Sequence, residues 1–166
     1  GPCFYGHRRC GCNRKTFLVW KFRSMVDNAD RVLDFHLNRD PSLRSEWNSG
    51  QKLSLDPRVT PLGRFLRKTS LDELPQLWNV LAGEMSIVGP RPIMEEEIGR
   101  YQEDFVHYGK VKPGVTGLWQ VSGRNRLTYQ ERVRLDVYYV RNWSPWLDIY
   151  ILARTAKAVC DGDGAC

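Results

Sequence analysis

Pro75 stands just past the acidic pair Asp72-Glu73 and at the head of an apolar run, and this placement restricts how residues 68–92 can fold. Leu74, Leu77, Trp78 and Leu81 recur at helical spacing, which predicts a helix with one apolar face. Gln76 and Asn79 then fall on the solvent-side arc, and Gly83 stops the helix. Pro75 lacks an N–H, so it fits the first turn, where that donor has no partner anyway. Asp72 is thereby placed near the N-cap, where free backbone N–H groups and the positive helix end stabilise an anion. The same terminus attracts phosphate. With Arg64, Arg67 and Lys68 ahead of the pair and Arg91 after it, the stretch suggests phosphoryl chemistry. The competing reading is a capped helix with an acidic first turn, because Ser70 and Glu73 match the capping-box pattern. In Gly89-Pro-Arg-Pro92 two prolines flank Arg91, so its guanidinium has little backbone freedom to lose on binding; the alternative is a stiff turn with an exposed arginine.

The rest of the chain sets bounds on that reading. Its 166 residues suffice for one domain with a real core. A net charge of +6 calls for an anionic partner without naming it. Nucleotide phosphates and lipid headgroups qualify; nucleic acid does not, because no nucleic-acid module is recognisable. The cysteines (Cys3, Cys10, Cys12, Cys160 and Cys166) are odd in number and clustered at the ends, which fits reduced thiols rather than a disulfide framework or a zinc site. No apolar run approaches the ~18–20 residues that span a bilayer, and no signal peptide is visible.

In chain order, the strand formers of Phe17–Phe22 and the turn residues near Cys10–Lys15 predict a hairpin that delivers Lys21 and Arg23, either as phosphate ligands or as a solvated edge. A helix is expected over 26–38, broken by Asp40-Pro41. A short basic helix over 62–68 should turn Leu62, Phe65 and Leu66 inward. Residues 93–108 read as one amphipathic helix carrying Ile98, Tyr101, Phe105 and Tyr108. Residues 110–123 read as an irregular, glycine-rich pocket loop around Trp119, with Gln120 and Arg124 at its edge for sugar or nucleotide. Thr128 and Glu131 form a capping box for a helix to about Arg141, on which Asp136 is expected to pair with an arginine. Ser144-Pro145 starts a last helix to about Val159. It is either a buried terminal helix or one lying in a membrane interface, with Trp143 and Trp146 at headgroup depth. The predicted fold is α+β: a mostly helical single domain over 1–166 with a small N-terminal β-hairpin and amphipathic membrane-interface helices.

Several ordered runs carry a resemblance. Thr69-Ser-Leu-Asp-Glu-Leu-Pro-Gln76 and Met85-Ser-Ile-Val-Gly-Pro-Arg-Pro92 are joined by Lys21-Phe-Arg-Ser-Met25, Asp56-Pro-Arg-Val-Thr60 and Lys112-Pro-Gly-Val-Thr-Gly-Leu-Trp-Gln120. Together they resemble the bacterial sugar transferases, the monotopic polyprenyl-phosphate phosphoglycosyl transferases; the opening Gly1-Pro2 with Tyr5-Gly-His7, and Glu46-Trp47, look most like their galactose-phosphate-transferring branch. The resemblance implies a two-step displacement. Asp72 attacks the β-phosphorus of a UDP-sugar, with galactose favoured over glucose, and expels UMP. Undecaprenyl phosphate then takes the sugar phosphate from the phospho-aspartate, initiating a surface polysaccharide. It further implies Lys21, Arg23, Arg67 and Arg91 around the phosphates, Mg²⁺ held by Glu73, and work at the cytoplasmic face of the bacterial inner membrane, with a homodimer as a reasonable assembly. Membrane-inserted helices precede this region in the family, so the chain is expected to be a piece lacking its main anchor. Cys10, Cys12 and Cys166 depart from the family pattern. Two other readings stay open: a non-catalytic membrane-surface domain of a glycan-assembly complex, and a soluble nucleotide-sugar enzyme that uses no lipid.

Overall fold

The computed structural model describes residues 1–50, 53–123 and 127–161. The hairpin forms as the sequence predicts, with β1 (Phe4–Cys10) antiparallel to β2 (Thr16–Phe22) and Phe4 opposite Phe22. Its turn is closed by the Gly11 N–H donating to the Lys15 carbonyl at 2.8 Å, with Asn13 and Arg14 at positive φ. Two helices follow, α1 (Ala29–Arg39) and α2 (Pro41–Gly50), separated at Asp40, whose carboxylate accepts from the Ser42 N–H at 2.8 Å. Then come α3 (Pro61–Lys68), a single 3₁₀ turn (Leu71–Glu73) and α4 (Gln76–Leu81).

A second small sheet pairs β3 (Ser86–Val88) in parallel with β4 (Gly114–Thr116). Where the chain leaves β3 the backbones touch: a Cβ on Gly114 would lie 2.1 Å from the Gly89 nitrogen, so no side chain fits there. The remaining helices are two one-turn pieces, α5 (Ile98–Tyr101) and α6 (Phe105–Tyr108), then α7 (Leu118–Ser122), α8 (Tyr129–Arg141) and α9 (Pro145–Asp161). The Thr128 capping box forms: its hydroxyl accepts from the Glu131 N–H, and the Glu131 carboxylate accepts from the Thr128 N–H at 2.7 Å.

Two apolar clusters hold these pieces. One joins Cys10 and Ile93 to Tyr101, Phe105, Tyr108 and Val133. The Tyr108 hydroxyl stitches it by donating to the Cys10 carbonyl at 2.9 Å and accepting from the Ile93 N–H at 3.2 Å. The other joins Val88 to Leu118, Val121, Tyr139 and Ile151.

The structure departs from the sequence reading at several points. Residues 93–108 are not one helix: Gln102 takes φ 49° and splits the run into 3₁₀ and α turns, while Tyr101, Phe105 and Tyr108 still reach the core. Residues 110–123 are ordered as β4 and α7, because β3 supplies β4 with a partner that local sequence does not show. Leu62 and Phe65 of α3 are exposed. That helix packs instead through Gly63, where a Cβ would meet the Ser24 carbonyl oxygen at 1.9 Å. Ser70 makes no cap; it adopts φ 56° and turns the chain sharply out of α3.

The largest reversal is α4. Gln76 and Asn79 are buried, whereas Leu74, Leu77, Trp78 and Leu81 face outward, Leu81 being 81% exposed. Asn79 explains it. Its side-chain oxygen accepts from the Trp20 N–H at 3.1 Å, and its amide donates to the Leu18 carbonyl at 2.7 Å and to Glu84 at 2.7 Å. One asparagine thus satisfies two backbone groups on the outer edge of β2, which a strand would otherwise have to pair. The polar arc of α4 is the one that docks.

Candidate active site

An open cleft of about 850 Å³ lies between the hairpin end, α1, α3, the 3₁₀ turn, the Pro-Arg-Pro segment and α7–α9. Its walls include Lys21, Arg23, Ser24, Arg67, Asp72, Glu73, Arg91, Trp119, Gln120 and Arg132. The docking of α4 under β2 carries the preceding turn against the hairpin, and the Lys21 ammonium meets the Glu73 carboxylate at 2.5 Å. Asp72, in the same turn, is 9% exposed.

Electrostatically, Asp72 differs from the expectation of an anion settled at a helix N-cap. It sits in the 3₁₀ turn ahead of α4, and burial pushes its pKa up. Lys21 and Arg67 pull the other way, Glu73 adds to the rise, and desolvation prevails. A carboxylate poorly solvated in the free site is a more basic oxygen than one in water, which suits a group that must form a bond rather than remain an ion pair.

Lys21, Arg23, Arg67, Arg91, Gln120, Asp72 and Glu73, spread over a hundred residues of sequence, all line this one cleft. Arg67 is oriented by its Nε donating to the buried Ser24 hydroxyl at 2.9 Å. Arg23, just past β2, is tied to the chain on both sides of the hairpin, donating to the Pro2 carbonyl ahead of β1 at 2.8 Å and pairing with Asp27 at 3.0 Å. Arg91 stacks on the Trp119 indole at 5.8 Å. Arg64 and Lys68 are exposed and do not line the cleft, while Arg124 lies outside the described residues.

Sequence reasoning missed two arginines. Arg132 stacks on Trp119 at 4.9 Å, and Arg9 of β1 lines a small cavity beside the cleft rather than the cleft itself. Arg132 and Asp136 lie one turn apart on α8, but only Arg132 lines the cleft, while Asp136 is buried in the core beside Tyr101. Among the described residues Asp136 finds no arginine in hydrogen-bond contact: it accepts from the Tyr101 hydroxyl at 2.7 Å, and burial pushes its pKa up to about 8.

Among the described residues no group of three or more His, Cys, Asp or Glu side chains is arranged to hold a metal ion. Mg²⁺ is commonly held by one or two carboxylates plus substrate phosphates and water. Glu73, a hard oxygen donor with its side chain 33% exposed beside the cleft, fits that pattern once Lys21 yields its place.

The fold and the cleft define an α+β domain that gathers cations around a buried aspartate. The chain belongs to the bacterial sugar transferase family, whose model matches residues 1–162. It is 57% identical, over 99% of its length and 35% of the relative's, to an undecaprenyl-phosphate galactose phosphotransferase of Salmonella typhimurium. It is 51% identical, over 99% of its length and 73% of the relative's, to the exopolysaccharide production protein ExoY of Sinorhizobium fredii. To a UDP-glucose:undecaprenyl-phosphate glucose-1-phosphate transferase of Xanthomonas campestris it is 42% identical, over 96% of its length and 32% of the relative's. The chain thus spans about a third of the length of two of these three relatives.

Proposed function

We propose that this domain transfers a sugar 1-phosphate from a UDP-sugar to undecaprenyl phosphate through a covalent intermediate on Asp72. The observation that carries the reading is the buried Asp72 carboxylate in a cleft also walled by Lys21, Arg67 and Arg91. A carboxylate oxygen of Asp72 bonds to the β-phosphorus while the bond from that phosphorus to the α–β bridging oxygen breaks. UMP departs with the electron pair. A phosphate oxygen of the lipid acceptor then attacks the same phosphorus, and Asp72 leaves as a carboxylate. Both steps bring anion toward anion, so the surrounding cations lower the barrier by screening. Mg²⁺ on Glu73 would add charge neutralisation at the diphosphate. The names of the relatives favour galactose, with glucose the nearest competitor.

The outward apolar arcs fit a lipid acceptor. Leu74 and Leu77 border the cleft that holds Asp72, and Val159 of α9 lines it as well. Trp78, Leu81, Leu62, Phe65, Trp143 and Trp146 are exposed. No described helix is long and apolar enough to cross a membrane. Exposed aromatic and aliphatic side chains at this density suit a domain seated in the headgroup region of a membrane.

The test is to trap labelled sugar phosphate on the protein after exposure to UDP-galactose. Asp72→Asn should abolish the label; an undiminished label would remove Asp72 from the role. Label in wild type with no dependence of turnover on polyprenyl phosphate would point to a soluble nucleotide-sugar enzyme.

A further inference from the structure

The transfer reading leaves Arg9 without a task. Its side chain is 17% exposed, and it faces a second, small cavity of about 30 Å³. Lys21, Glu73, Arg91 and Gln120 wall both this cavity and the main cleft, so the two adjoin; Asp72 lines only the main cleft. Space of this size takes a single oxygen rather than a sugar ring or a base. Its ionisable walls are three cations, Arg9, Lys21 and Arg91, and one carboxylate, Glu73.

The ion pair of Arg9 is loose. Its guanidinium lies 3.4 Å from Glu97, longer than the ~2.7–2.9 Å of a good charge-assisted bond, and that carboxylate also accepts from the Met94 N–H at 2.8 Å. Burial, and after it the Arg91 guanidinium, pulls the pKa of Arg9 down. Like charges held together in a desolvated wall are unfavourable until an anion lies between them.

Phosphoryl transfer supplies that anion twice. An in-line attack by Asp72 sends the departing phosphate out on the far side of the phosphorus. The acceptor must return along that path to displace Asp72. The leaving UMP and the lipid phosphate are both phosphate monoesters, so one subsite serves each in turn. We infer that Arg9 and Arg91 form this monoester subsite, with a non-bridging oxygen in the small cavity; the inference rests on the proposed transfer.

UMP inhibition of the full-length protein, and discharge of a preformed adduct by polyprenyl phosphate, test it. Arg9→Gln should weaken UMP inhibition about 10- to 100-fold and slow discharge comparably, with Arg9→Lys recovering part of both. Glu97→Gln breaks the same ion pair from its other end and should leave UMP inhibition equal or tighter. Equal weakening in Arg9→Gln and Glu97→Gln would make the pair structural and overturn the subsite. An adduct whose UMP inhibition Arg9→Gln does not move sinks the subsite alone, whereas no adduct in wild type sinks the transfer reading and the subsite with it.

Discussion

Lys21 and Glu73, 52 positions apart in sequence, meet at 2.5 Å in the cleft wall, so the hairpin and the acidic turn share one charge pair next to Asp72. The pair is about one-third exposed at each end and contributes little to stability by itself. On the proposed mechanism its value is positional: it would keep an ammonium near the Asp72 carboxylate and hold a carboxylate able to exchange that ammonium for Mg²⁺. Glu73→Gln should therefore raise the Mg²⁺ concentration needed for half-maximal adduct formation while changing the thermal midpoint only slightly. Titrating Mg²⁺ against both proteins checks this, and an unshifted Mg²⁺ dependence removes Glu73 as the ligand.

The raised pKa of Asp72 sets the direction of a pH profile. In the proposed transfer Asp72 attacks as a carboxylate, so the rate of adduct formation should fall as pH drops through a value above the ordinary ~3.9 of an aspartate. Single-turnover labelling across the acid range would locate this limb. A limb at or below ~3.9 would contradict the desolvated carboxylate.

Asp136 carries a stability prediction of its own. Its folded pKa, about 8, stands above the unfolded value, so the folded state binds the proton more tightly. Its contribution is fully present below the unfolded pKa and is lost as pH rises through about 8. Within that window its share of the slope approaches ~1.4 kcal/mol per pH unit. Asp136→Asn keeps an acceptor for the Tyr101 hydroxyl and should flatten the dependence. Denaturant melts at several pH values compare the two.

Asn79→Ala leaves the Trp20 N–H and the Leu18 carbonyl without their partner. Two such groups at a part-buried edge should cost about 2–4 kcal/mol. Asn79→Asp should be no better, because a carboxylate cannot donate to Leu18 and would face Glu84. Chemical denaturation measures both.

Trp78→Glu and Leu81→Glu change outward side chains, so stability should move by no more than about 0.5 kcal/mol. Binding to vesicles containing anionic lipid should weaken markedly. A large loss of stability with unchanged vesicle binding would place these residues in a protein contact instead.

The sequence by itself determined the local pieces: the hairpin with its turn, the Thr128 capping box, the break at Asp40-Pro41 and the stop at Gly83. Each rests on backbone chemistry within a few residues. The motifs also carried the family and most of the cleft residues, since those side chains sit in short runs of distinctive order. Tertiary structure alone decided which way α4 faces. Periodicity marks an apolar arc but not the side on which the protein lies, and here the unpaired edge of β2 drew the Asn79 arc inward. It likewise decided the upward shift of the Asp72 pKa, because desolvation depends on what the rest of the chain stacks over a carboxylate. The pairing of β4 with β3 and the approach of Arg9 to Arg91 belong to the same class. Both are contacts between distant segments, set by how the elements close on one another rather than by any neighbour in sequence.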